Sequence, residues 1–121
     1  GGAQFFRSAN VVYELMANTY TNAKIDLTTT NVTTLYTCPT LTSTVIKSIL
    51  VSEDSGNADT ITVTVTNGSS VYSLFKVKAV GANATVELLT APLVLQATEI
   101  LKVTAATANR LHVVASLLEV S

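Results

Sequence analysis

The chain has few of the residues that build catalytic, redox and metal sites. Its 121 residues include one histidine, one cysteine and no tryptophan, and only 12% of them are charged. Catalysis by proton transfer needs paired titratable groups, and neither such pairs nor a known catalytic, zinc-binding or phosphate-binding motif occurs. The sequence therefore predicts a protein that is not an enzyme, with no catalytic residue, no cofactor and no metal site.

The single cysteine and the single histidine lack the partners that catalysis requires. Cys38 cannot form a disulfide within the chain, which fits assembly in a reducing cytoplasm. It precedes Pro39, which favours an extended backbone at Cys38, and we interpret it as a buried or edge-strand thiol. His112 lies in an apolar segment without a second histidine, and we interpret it as packed or interfacial.

Charge is scarce in both signs, and this restricts the class of partner. Seven basic and eight acidic residues give a net charge of −1, which offers no general attraction for nucleic acid or anionic lipid. No apolar run reaches the roughly 20 residues that span a bilayer, and no signal peptide is visible. We therefore expect neither nucleic acid nor a membrane as a partner. So little charge suggests a surface covered by other protein, and a well-packed monomer with a hydroxyl-rich exterior is the alternative.

What the chain has in abundance is alternation of β-branched residues, most clearly over residues 60–66. A period of two puts Ile61, Val63 and Val65 on one face of a strand and the four threonines on the other. The Asn-Gly dipeptide that follows is the strongest short-range signal of a hairpin. Comparable segments recur to the end of the chain, separated by turns, with no convincing helix. The pattern predicts an all-β fold, an antiparallel β-sandwich of about eight strands that is jelly-roll-like.

Three segments have patterns that predict their place in the sandwich. Residues 44–52 and 111–120 are apolar on both faces, which indicates central or covered strands. Residues 71–79 are expected to return beside residues 60–66. Four residues of this returning strand are expected to point inward: Val71, Phe75, Val77 and Ala79.

Residues 1–31 differ in composition from the rest, and we interpret them as an extended N-terminal arm ahead of a β-sandwich domain of residues 32–121. The arm begins with an aromatic lead and continues as a polar, threonine-rich stretch. Full burial of an aromatic or aliphatic side chain is worth roughly 1.5–3 kcal/mol, so its apolar residues are expected to lie on a partner or on the domain itself. A disordered expression remnant is the alternative. The arm residues expected at an interface are Phe5, Phe6, Val12 and Tyr13.

The threonine face of residues 60–66 is a second candidate contact surface. This face can meet either water or a second protein surface, since hydroxyl groups carry a smaller desolvation penalty than charged groups. We expect Thr62, Thr64 and Thr66 to make lateral contacts with neighbouring subunits.

The turn of residues 53–59 concentrates acidic side chains. It contains Glu53, Asp54 and Asp59, and carboxylate oxygens of this kind can hold Ca²⁺. The spacing does not match the EF-hand loop, however, and Asp, Asn, Ser and Gly are also the ordinary residues of tight turns. An ion site and a purely structural turn both remain open at this point.

The order of several short segments resembles small β-sandwich virion proteins of tailed bacteriophages, especially those of aquatic and cyanobacterial phages. The resemblance covers about residues 16–121. It departs from the pattern at residues 52–56 and 97–99, where glycine-containing turns are usual. Residues 1–15 lie upstream of the usual start, so either they form a real arm or Met16 is the true start. The segments that carry the resemblance are Leu35-Tyr36-Thr37-Cys38-Pro39, residues 44–51 (TVIKSILV), residues 92–95 (PLVL), residues 100–105 (ILKVTA) and Leu118-Glu119-Val120.

The resemblance implies a structural component of a virion, assembled in the host cytoplasm and without chemistry of its own. A capsid decoration (cement) protein is expected first. It would bind the major capsid protein as a homo-oligomer, and trimers are common in that class. A neck, tail or fibre-attachment protein is the alternative within the virion. A carbohydrate-binding sandwich is a further alternative, although the chain has four tyrosines and no tryptophan to form a sugar platform.

Overall fold

The computed structural model describes residues 4–8, 11–15 and 17–121, and these form strands and turns without a helix. No membrane-spanning helix occurs among these described residues. In chain order the strands are β1 (Gln4–Ser8), β2 (Val11–Leu15), β3 (Asn18–Asp26), β4 (Thr33–Thr37), β5 (Ser43–Glu53), β6 (Asp59–Asn67), β7 (Ser70–Val80), β8 (Thr85–Glu87), β9 (Leu93–Leu95), β10 (Ile100–Ala105) and β11 (Leu111–Val120).

Strands β3 to β11 form two antiparallel sheets that pack face to face. Sheet I has the order β4-β10-β6-β7, and sheet II has the order β3-β11-β5, with β8 and β9 both pairing with the far side of β5. The prediction of an all-β antiparallel sandwich is therefore confirmed. The predicted hairpin is also present, since β6 and β7 are joined at Gly68, whose φ of +58° a glycine adopts without strain.

The core lies between the two sheets and follows the alternation of the strands. The odd-numbered residues of β6 point inward as predicted, and those of β10 and β11 pack against them. Since side chains alternate between the faces of a strand, the even-numbered residues of these three strands form the outer faces. The fully buried side chains include Ile61, Val63, Leu101, Val103, Leu111 and Val113.

Residues 44–52 are apolar on both faces because β5 contains a β-bulge. Ser48 pairs with Ser116 and Ile46 pairs with Leu117, so Lys47 is an extra residue. The bulge reverses the alternation, and both Ile46 before it and Ile49 after it are therefore buried. The prediction of a central strand is confirmed, because β5 lies between β11 and the pair β8 and β9.

The prediction that four residues of β7 point inward was wrong for three of them. Phe75 is half-buried, but Val71 and Val77 are 62% and 60% exposed, and Ala79 is exposed as well. Two bulges disturb the alternation: one residue of β7 is extra between Phe75 and Ser73, and a second between Lys78 and Phe75. The strand is also at the edge of sheet I, where fewer side chains reach the opposite sheet.

Part of the segment predicted as an N-terminal arm, residues 1–31, belongs to the sandwich. Residues 18–26 form β3, which pairs with β11 along its whole length. Leu27 follows and is buried, with its N–H donating to the carbonyl of Leu111 at 3.0 Å. A polar composition concealed this strand, since only every second residue of an edge strand needs to be apolar. Ahead of it, β1 and β2 pair as an antiparallel hairpin.

Candidate interaction surfaces

The outer face of sheet I carries the row of hydroxyl groups that the sequence predicted. Thr62 and Thr64 are half-buried, and they pair across β10 with Thr104 and Lys102. The Thr62 hydroxyl accepts the backbone N–H of Val77 at 3.1 Å. Thr66 is buried, and its hydroxyl has no hydrogen-bond partner among the described residues. The structure thus places all three predicted threonines on one face, although Thr66 is largely inaccessible to a neighbour.

The outer face of sheet II carries an apolar row that sequence reasoning missed. Leu118 of β11 pairs with Tyr20 of β3 on one side and with Val45 of β5 on the other, and Val45 pairs with Val94 of β9. Tyr20 is 73% exposed and Val94 is 56% exposed. The Nζ of Lys47 lies 5.7 Å from the centre of the Tyr20 ring, in the range of a cation–π contact. We call these four residues, Tyr20, Leu118, Val45 and Val94, the first apolar row.

A further apolar pair lies on the same face, four residues along β11 from the first apolar row. Val114 of β11 pairs with Leu50 of β5, and both are more than one-third exposed. Lys24 and Glu87 flank them on the outer strands. Burial of an exposed aliphatic or aromatic side chain is worth roughly 1.5–3 kcal/mol, so this face is favourable for contact with protein. The outer apolar face is defined by six residues: Tyr20, Val45, Leu50, Val94, Val114 and Leu118.

His112 lies on the same outer face, at the opposite end from the first apolar row. Its Nε2 is 3.3 Å from an oxygen of Asp26, and its Nδ1 is 3.6 Å from an oxygen of Asp54. All three side chains are substantially exposed, and pairs of this kind contribute little to stability. No group of three or more metal-ligating side chains occurs in the described part of the chain. The imidazole is consistent with a surface contact between β3 and the turn after β5.

The acidic turn is explained by hydrogen bonds within the protein. The carboxylate of Glu53 is buried and accepts the N–H groups of Ser55, Gly56 and Asn83 at 2.7, 3.0 and 3.0 Å. Burial alone would raise its pKa, but these bonds and one from the Ser55 hydroxyl outweigh it and lower the pKa to about 2. Asp59 accepts the N–H of Thr107 at 3.1 Å. Because these carboxylates already bind backbone amides, the structure supports a structural turn and gives no support to a calcium site.

A partly buried chain of polar side chains joins the two sheets near Cys38. The Tyr36 hydroxyl of β4 donates to the carboxylate of Glu119 in β11 and lies 2.7 Å from the hydroxyl of Thr44 in β5. The thiol of Cys38 lies 3.3 Å from that same hydroxyl. Burial, followed by the bond to Glu119, raises the pKa of Tyr36. The cysteine is therefore a buried thiol within a structural network, as the sequence predicted.

Phe5, Phe6, Val12 and Tyr13 have their backbone in β1 and β2, and their side chains lie outside the part of the chain that the structure describes. The amino-acid sequence matches no protein-family model and no curated protein sequence. The features that bear on function are therefore the fold and its two contrasting outer faces.

Proposed function

We propose that the chain is a structural protein of a bacteriophage virion, and specifically a capsid decoration protein. The observation that carries the proposal is the first apolar row on the outer face of sheet II, where one apolar residue from each of four strands lies beside the next and partly exposed. An exposed apolar row that crosses four strands is characteristic of a surface that binds another protein. The resemblance of residues 16–121 to small virion sandwiches supplies the kind of assembly.

The described surface favours binding over chemistry. His112 makes two exposed contacts, with Asp26 and Asp54. The buried Glu53 and Cys38 and the partly buried Tyr36 are each held by hydrogen bonds that link strands or turns. Groups with such partners stabilise the fold and are poorly placed to accept protons from a substrate. We therefore propose a role in which the sandwich acts as a rigid connector.

In this role the sandwich bridges neighbouring capsid subunits and limits their separation. One copy buries a modest apolar area, so a single contact is weak. Many copies on one lattice give strong overall attachment, because each bound copy holds its neighbours at high effective concentration. The major capsid protein is the proposed partner, and a neck or tail protein is the alternative.

The test is cosedimentation of the purified chain with phage heads that lack it, followed by electron microscopy. We expect copies distributed over the head surface, and we expect Val94→Asp to weaken binding by at least tenfold. Ser73→Asp is the matched control, since Ser73 is exposed on sheet I and should leave binding unchanged. Copies confined to a ring of six-fold or twelve-fold symmetry would assign the chain to the neck or tail. Absence of binding to heads, necks and tails would overturn the virion role.

A further inference from the structure

We propose that the free edge of β7 binds an extended segment of another protein, which adds to sheet I as a further strand. The segment carries large apolar side chains at alternate positions, followed two residues later by a carboxylate. This edge is separate from the outer apolar face of sheet II, and the inference goes beyond the proposed function and does not depend on it.

β7 is the last strand of sheet I and pairs on one side only. Among the described strands, its single neighbour is β6. The backbone N–H and C=O groups that point away from the neighbour of an edge strand are available to another strand. The side chains of residues 70–79 are exposed, except for the half-buried Phe75. The edge therefore offers both main-chain hydrogen bonds and apolar contacts, as in other sheets that accept an added strand.

An apolar groove lies beside this edge, between β7 of sheet I and the β8–β9 region of sheet II. Leu74 and Phe75 of β7 form one wall. The groove has a volume of about 340 Å³, at the small end of the roughly 300–1,000 Å³ of pockets for whole ligands. It therefore suits a side chain of a segment held by the edge better than a free ligand. The opposite wall is formed by Leu88, Leu89, Pro92 and Leu93.

The pairing of β7 with β6 specifies the spacing of the segment. Three residues of β7 pair with core residues of β6 and therefore lie on the groove side of the strand. Their partners in β6 are two residues apart, which corresponds to about 7 Å along a strand. A segment that follows this edge meets the three with every second residue, of which two are apolar and one is acidic. The three pairs are Tyr72 with Val65, Phe75 with Val63 and Lys78 with Ile61.

Two lysines make the edge basic and specify the charge of the segment. Lys76 and Lys78 are both exposed, and β7 contains no acidic residue. Among the described side chains, the ion-pair contacts are those of His112, so neither lysine has a carboxylate partner there. Opposite charges on neighbouring strands attract. A carboxylate on the added segment would therefore meet cations with no competing partner.

The same edge disfavours a second β7 as the occupant. Two bulges interrupt the strand, one at Leu74 and one between Phe75 and Lys78, and bulges are a means by which edge strands avoid pairing with each other. An antiparallel pair of β7 strands would also bring the lysines of both copies to one junction without a carboxylate, and like charges on paired strands repel. A flexible segment can follow the bulges and place its carboxylate at the lysines.

The experiment titrates the full chain with labelled peptides and follows binding by fluorescence anisotropy. In the probe peptide, two leucines and a glutamate occupy alternate positions between threonines. One control peptide has lysine in place of glutamate, and another has N-methyl groups on its central amides, which removes strand hydrogen bonds. We expect the probe to bind and each control peptide to bind at least tenfold more weakly. Amide hydrogen exchange of the complex should show new protection at alternate residues of β7.

Variants of the chain test the charge and the groove separately. Lys76→Glu combined with Lys78→Glu should exchange the preference, so that the lysine peptide binds at least tenfold more tightly than the probe. Lys24→Glu on β3 is the matched control and should keep the original preference. Leu74→Asp should weaken the probe at least tenfold, whereas Ser73→Asp should not, because Ser73 pairs with Thr64 on the outer face. Circular dichroism checks that each variant is folded.

Three results would overturn the inference. The first is failure of the probe to bind at millimolar concentration, equal binding of the N-methylated peptide, or protection only outside β7. The second is a folded charge-reversed variant that still prefers the acidic peptide. The third is self-association of the chain that the probe abolishes, which would assign the edge to a second copy. None of these results depends on phage heads, so the proposed function stands or falls separately.

Discussion

The buried carboxylate of Glu53, at the end of β5, accepts the backbone N–H of Asn83 at 3.0 Å, across 30 residues of sequence. The same carboxylate also accepts the backbone N–H groups of Ser55 and Gly56. Glu53 therefore connects the turn after β5 with the turn between β7 and β8. These bonds favour the ionised form of Glu53, and this has a consequence for stability at low pH.

The folded protein should lose stability in acid, in part through Glu53. Its pKa is about 2 in the folded state against an ordinary value of 4.5, so its contribution is complete above pH 4.5 and is lost as the pH falls toward 2. Glu87, whose pKa is also lowered although burial opposes this, acts in the same direction through bonds from Ser48, Ile49 and Leu89. Denaturant unfolding at a series of pH values measures the effect.

The variant Glu53→Gln should be less stable than the unmodified chain at neutral pH and should show a shallower loss in acid. The amide NH₂ cannot accept the N–H groups that now bind the carboxylate. Asp54→Asn is the matched control on the neighbouring exposed residue and should change stability little. Equal stability of Glu53→Gln and the unmodified chain at neutral pH would contradict this role of Glu53.

Adjacent substitutions in β6 should have very different effects. Val63 is completely buried, and Val63→Asp should lower the free energy of unfolding by at least about 3 kcal/mol, because it buries an unpaired charge. Thr62→Asp should be tolerated in the isolated chain, because Thr62 lies on the outer face and a carboxylate can still accept the N–H of Val77. Circular dichroism during thermal unfolding compares them, and a similar loss in both would refute the assignment of the two faces.

Removal of the Tyr36 hydroxyl should weaken the link between the sheets. Tyr36→Phe leaves Glu119 without its donor in a partly buried site and leaves Thr44 with only the Cys38 thiol, and we expect a loss of about 1–2 kcal/mol in the free energy of unfolding. Tyr72→Phe is the matched control, because Tyr72 is exposed on β7 and should change the value by less than about 0.5 kcal/mol. Urea unfolding of both variants provides the measurement, and equal effects would argue against the network.

Val77 should be a site where a polar substitution stabilises the protein. Its φ of +53° is unfavourable for a β-branched residue, and asparagine adopts this conformation more easily. We expect Val77→Asn to raise the free energy of unfolding by about 0.5–1 kcal/mol. Val71→Asn in the same strand, at similar exposure but without a positive φ, should lower it through poorer strand propensity. A lower stability of Val77→Asn would show that the bulge holds no such strain.

Several elements were predictable because their signals are local. The alternation around Val63 and the glycine turn at Gly68 each depend on neighbouring residues, and both agree with the structure. The bulges could not be predicted in this way. The extra residue at Lys47 is defined only by the pairing of Ile46 and Ser48 with β11, and the extra residues of β7 are defined by its pairing with β6.

The surface proposed for assembly shows the same distinction between what local sequence determines and what strand pairing determines. The sequence by itself determined that the chain forms strands, which β6 residues face the core, and that little charge is available for the exterior. Only the tertiary structure brought Tyr20, Val45, Val94 and Leu118 into one row, because strands far apart in sequence had to pair in a particular register. Periodicity specifies which side of a strand is apolar, whereas the partner strand decides which apolar residues of different strands become neighbours.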